Sequence, residues 1–200
     1  MRKCAPFLLL VIAATVPQTA PAQPQSSSPS VVRYHFGDNP RWADPNFDNA
    51  SWAAAPNGQW PLPPFGSDGI VWVRLRIPVS AYPTSRSALR LVRPESRTAS
   101  EEIFLDGALI GHSGKLPPAP QAVIMPSSTV LDAAGIPAQA SFATVALRLW
   151  YPPGVRYHGG QDFIDCQIAS AALLKEQQRA DKLAFVLTCL PVLSLNGLLA

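Results

Sequence analysis

Cysteine is scarce in this 200-residue chain, and its placement excludes as much as its number. Two of the three, Cys4 and Cys189, lie in hydrophobic end segments, which leaves Cys166 as the single thiol of any folded domain between them. A disulfide framework inside such a domain is excluded, and no Cys/His spacing of a zinc site occurs. Charge is sparse as well, at 14% of residues. Arg2 and Lys3 belong to an N-terminal leader, so 14 basic residues face 13 acidic ones in the rest of the chain. That balance leaves no basic footprint for nucleic acid. Paired hydrolytic carboxylates, a nucleophile elbow and a phosphate-cradling glycine loop are all missing. Gly111, His112, Ser113 and Gly114 set a serine among small residues, but at a hairpin's end and without the strand-to-helix elbow, so they read as a turn. His35 and His158 are isolated and read as surface or loop residues. Nothing here marks the chain as an enzyme.

What the chain has in quantity is proline, 22 residues of it, which suits a loop-rich all-β domain of edge strands and turns. Alternation supplies the strands. Val71, Val73, Leu75 and Ile77 share one face of a strand over residues 69–79, with Trp72, Arg74 and Arg76 on the other, so one buried side is expected. Residues 101–111 alternate across Asp106-Gly107, whose tolerance of positive φ predicts a two-residue hairpin turn. Further strands are expected over 31–36, 87–93, 123–125 and 143–150, with residues 162–168 completing the sheet and 130–136 as a connector. Between the first strand and a proline loop at 56–67, Asp44-Pro45 and Asp48-Asn49 can close Asx-turns while Phe47 and Trp52 turn inward. Trp52 and Trp72 are expected to be packing residues.

Three motifs carry a resemblance. The first is Gly37-Asp38-x-Pro40-x-Trp42-Ala43-Asp44-Pro45-x-Phe47-Asp48, closed by Trp52. The second joins Trp72-x-Arg74-x-Arg76 to the Asp106-Gly107 hairpin and Gly111-x-Ser113-Gly114. The third is Val145-x-Leu147-Arg148-Leu149-Trp150-x-Pro152-Pro153 with Gly159-Gly160 behind it. Together they resemble the galactose-binding-like jelly roll over residues 31–168, which implies an all-β sandwich. In that family the domain stands at the N-terminus of some glycoside hydrolases and in the extracytoplasmic part of bacterial membrane-bound signalling proteins. Residues 93–97 read Arg-Pro-Glu-Ser-Arg, where related domains often carry an acidic, small-residue segment, so ligand specificity does not transfer.

The ends add context. A basic start, an apolar run and Ala20-Pro21-Ala22 make residues 1–22 a secretory signal peptide, with an uncleaved anchor as the alternative. A Pro/Gln/Ser-rich linker follows over 23–30. Helix formers fill 169–182, and 183–200 is an uncharged run, read as the first part of a transmembrane helix, with a buried helix as the competing reading. The resulting expectation is an exported domain tied to the cytoplasmic membrane, sensing a glycan or small molecule, with a dimer contact through the 169–182 helix. A sugar-binding module of a secreted glycoside hydrolase and a purely structural module are the alternatives.

Jelly rolls offer loops for recognition, and sugars are held by an aromatic face with charged or amide groups. The candidate ligand residues are therefore Arg93, Glu95 and Arg97 in one loop, and Tyr151, Arg156, Tyr157, His158 and Asp162 in another. If the tyrosines only pin a proline loop, the site is void. Asp38, Asp44 and Asp48 either form a calcium site or cap turns; no other cofactor is expected.

Overall fold

A computed structural model of the chain describes residues 31–63, 69–79, 86–93, 97–133, 136, 140–153 and 161–197. The leader and linker lie outside the described residues. The strands are β1 (Val32–Phe36), β2 (Ala53–Ala55), β3 (Gln59–Pro61), β4 (Ile70–Pro78), β5 (Ser87–Val92) and β6 (Arg97–Leu105). They continue with β7 (Ala108–Ser113), β8 (Val123–Met125), β9 (Ser128–Asp132), β10 (Phe142–Trp150), β11 (Gln161–Phe163) and β12 (Asp165–Ser170), before helix α1 (Ala171–Gly197). A seven-stranded antiparallel sheet has the order β2-β1-β4-β10-β6-β7, with β8 pairing β6. A three-stranded sheet, β12-β5-β9, lies across from it, and β11 pairs β3 in a small ribbon.

The alternation read from the sequence points the expected side chains into the sandwich. Val71, Val73, Leu75 and Ile77 of β4 meet Val145, Leu147 and Leu149 of β10, with Leu89 and Leu91 of β5 and Ile168 of β12 opposite. At roughly 1.5–3 kcal/mol for each fully buried aliphatic side chain, this layer dominates the stability. The β6–β7 hairpin turns at Asp106 and Gly107, both at positive φ (46° and 85°), as the dipeptide predicts.

β4 differs from expectation on its other face. It is buried on both sides: Trp72 has no exposed surface and Arg74 only 3%. The cover is residues 39–52, a 3-10 turn (Pro40–Ala43) followed by two Asx-turns, in which Asp44 Oδ1 accepts from Asn46 N and Asp48 Oδ1 from Ala50 N, both at 2.9 Å. Trp42 and Trp52 meet edge to face at 5.2 Å, Trp42 meets Trp72 at 6.1 Å, and Trp72 stacks on Phe104 at 5.6 Å. Arg74 holds the segment's backbone. Its guanidinium donates to the carbonyl oxygens of Trp42, Asp44 (2.8 Å), Pro45 (3.3 Å) and Phe47 (3.4 Å). An irregular segment cannot satisfy its own carbonyls, so a buried multi-donor fork takes the place of a ladder.

Residues 128–132, partly assigned to a connector, are strand β9, paired to β5 from Ala88↔Asp132 to Val92↔Ser128. The helix expected after the sandwich is present, begun by Ser170, whose Oγ accepts from Leu173 N. Its first turns pack on the outer face of the small sheet, where Leu174 is buried with Ala88 and Ala169. Farther along, Gln178 Nε2 donates to Ser128 O (3.2 Å) and Asp181 pairs with Arg90. A membrane span at 183–200 is not found: among the described residues no helix is long and apolar enough to cross a membrane.

Candidate functional site

The segment that covers β4 stops short of the strand's end. Trp72 and Arg74 lie beneath it, and the next outward residue, Arg76, is exposed. Beyond the cover's edge opens a cleft of about 670 Å³. Its floor is the outer face of β4 and β10, with Arg74, Arg76, Thr144 and Phe142; residues 45–49 form one wall, and Asp106 at the hairpin turn and Arg33 from β1 complete the rim.

Each charged group in the cleft has a distinct situation. Arg33 Nη1 donates to Ala50 O (3.1 Å) and Trp52 O (2.8 Å), holding the cover's far end. Arg74 is committed to its four carbonyls, its guanidinium carbon lies 5.7 Å from the centre of the Phe47 ring, and burial lowers its pKa from the ordinary arginine value. Asp106 Oδ1 accepts from Thr144 N (2.8 Å), fastening the hairpin turn to β10. Arg76 lies 4.9 Å over the Phe142 ring and, among the described residues, makes no hydrogen bond or ion pair. Asn46 and Asn49 add side-chain amides at the wall. The cleft thus combines phenyl rings, amides and an excess of positive charge.

Of the residues singled out from the sequence, Asp48 lines the cleft and Arg93 and Tyr151 lie away from it. Arg93 is buried and pairs with Glu101, also buried, next to Cys166, whose thiol is pushed well above its usual pKa by burial. Tyr151 is packed in the core, its N–H donating to Gly69 O (2.9 Å). Glu95, Arg156, Tyr157 and His158 fall outside the described residues; Arg97 and Asp162 are described in backbone only, in β6 and β11. Strand register does bring the two loop bases to one end of the sandwich: Trp150 pairs Ser100, and Val92 pairs Asp165.

Asp38, Asp44 and Asp48 do not converge on one point. Asp38 accepts from Trp72 Nε1 (3.1 Å) and pairs with Arg148, which also bonds Glu102 (3.0 Å). Burial alone would raise the Asp38 carboxyl, but the hydrogen bonds from Arg148 and Trp72 and the Arg148 charge hold it below its ordinary value. Arg148 is raised in turn, first by its hydrogen bond to Asp38. Asp44 and Asp48 cap the Asx-turns. Among the described residues no group of three or more His, Cys, Asp or Glu side chains could hold a metal ion.

The antiparallel sheets make the all-β sandwich that the resemblance implies. No protein-family model and no curated protein sequence matches the chain. Solved structures similar to it include a β-glucuronidase from glycoside hydrolase family 2, at 11% identity and a TM-score of 0.46, covering 69% of this chain and 15% of that one. A glycosyl hydrolase family 2 member from Bacteroides cellulosilyticus DSM 14838 matches at 13% identity and 0.46, covering 70% and 20%. A β-glycosidase from Bacteroides vulgatus matches at 17% and 0.45, covering 71% and 20%. The chain thus spans a fifth or less of each of these proteins.

The cleft was missed because its parts come from five stretches of sequence, and Arg74 and Arg76 read as an ordinary solvent face. The signal available was the Trp-x-Arg-x-Arg alternation itself: arginines at successive outward positions of a central strand need a cover or a ligand.

Proposed function

We propose that this chain is an exported, non-catalytic saccharide-binding module that takes its ligand in the cleft beside Arg76. The cleft carries the reading. Its volume lies in the range of small-ligand sites, roughly 300–1,000 Å³, and its lining of phenyl rings, amides and guanidinium is the mixture that holds a sugar's apolar face and hydroxyls together. Among the described residues, Trp52, Trp60 and Trp72, which could otherwise serve as stacking platforms, are buried in packing. Export follows from the leader at residues 1–22. The module reading matches the place the resembling family holds in glycoside hydrolases. A glycan array probed with the full chain, followed by calorimetry on the hits, tests the reading. It expects at least one oligosaccharide to bind the wild type and to bind Asn46→Ala/Asn49→Ala more weakly. Absence of binding across the array sinks it.

A further inference from the structure

We propose that the cleft selects a saccharide bearing a carboxylate, and that Arg76 is the group that reads the charge. This rests on the reading of the cleft as a saccharide site and adds the ligand's class. Three guanidinium groups line the cleft against two carboxylates, and the difference is one positive charge facing the opening. The groups differ in what they have left to offer. Arg33 and Arg74 have donors engaged by the backbone carbonyls of residues 42–52, so they contribute field and little bonding. Asp106 and Asp48 likewise each commit an oxygen to a backbone N–H, of Thr144 and Ala50. Arg76 alone is exposed and, among the described residues, without a hydrogen bond or ion pair.

Its place over Phe142, with the guanidinium carbon 4.9 Å from the ring centre, matters for the same reason. The ring attracts the cation to the edge of the cleft without supplying a hydrogen-bond acceptor atom, and a guanidinium's planar fork pairs best with a carboxylate, two N–H groups to two oxygens. The exposed Phe142 ring and the amides of Asn46 and Asn49 remain for the sugar itself. A cationic sugar would meet the excess positive charge, and a neutral one would offer Arg76 only hydroxyl oxygens, weaker acceptors than a carboxylate.

The test is calorimetric titration of the full chain with a galacturonic acid trimer and with the neutral galactose trimer. The acidic trimer is expected to bind more tightly, to weaken as salt is raised, and to bind Arg76→Ala roughly ten- to a hundredfold more weakly, the usual worth of hydrogen bonds to a charged group. Arg76→Ala should melt with the wild type, since the residue is exposed, and Arg76→Lys should recover part of the affinity. Equal binding of both trimers, unchanged in Arg76→Ala, overturns the charge selection while leaving the cleft a saccharide site. Failure of both trimers, where other oligosaccharides on the array bind, also overturns it; failure of every saccharide overturns the site itself.

Discussion

Replacing Arg74 by alanine removes the side chain that ties residues 42–47 of the irregular cover to the sheet, Arg33 holding only its far end at Ala50 and Trp52. Two of its four bonds, to the carbonyls of Trp42 and Asp44, are short, and those to Pro45 and Phe47 are at 3.3 and 3.4 Å. Taking ~1.5–3 kcal/mol for a hydrogen bond to a charged donor and counting the two short ones gives a loss of about 3–6 kcal/mol, with the long pair and the buried stem adding little beyond that. On the β10 side the residue that pairs Arg74 in register is Ala146, which offers no side-chain donor, and Arg33 on the β1 side already donates to Ala50 and Trp52. Arg74→Lys keeps the charge but offers a point ammonium in place of a fork, so it should restore less than half. Urea unfolding measures the loss, and limited proteolysis localises it: cleavage within residues 39–52 should appear at urea concentrations where the wild type resists. A loss below ~1 kcal/mol with the segment still protected would refute the argument, because the aromatic contacts alone would then hold the cover.

Two other outcomes are expected. Trp52→Ala opens a cavity among Trp42, Phe47 and His35 and should cost ~3–5 kcal/mol by urea unfolding, unfolding the domain near physiological temperature. Asp38→Asn weakens a half-exposed pair with Arg148 and should cost ~1–2 kcal/mol at pH 7. Because the Asp38 carboxyl sits below its unfolded value of about 3.9, its stabilisation is present above that pH and is lost as pH falls through the folded value, so wild type and variant should converge below about pH 4.

The sandwich was legible wherever a strand carries a period of two. β4, β10 and the Asp106-Gly107 hairpin stand where alternation and turn chemistry place them, and Trp52 and Trp72 are packed as expected. β9 was not legible as a whole strand, because only Val130, Leu131 and Asp132 of it stand out between a proline and a glycine. The two-sided burial of β4 was hidden for a deeper reason: its outer cover has no period at all, and an arginine that caps carbonyls has the same letter as one that faces water. Arg93 shows the reverse case. A charged residue at a strand's end reads as a loop residue open to a ligand, and the structure buries it against Glu101, eight positions later and across the β5–β6 connection.

The central claim is that recognition occurs at the cleft and not at the Arg93–Tyr151 end of the sandwich. Backbone amide shifts of the isotopically labelled chain, followed by NMR during titration with an array-positive oligosaccharide, measure this directly. The account predicts that the largest shifts cluster at Asn46, Phe47, Asn49, Arg76 and Thr144. Shifts centred on Ser100, Tyr151 and Arg93, with the cleft unmoved, would contradict it.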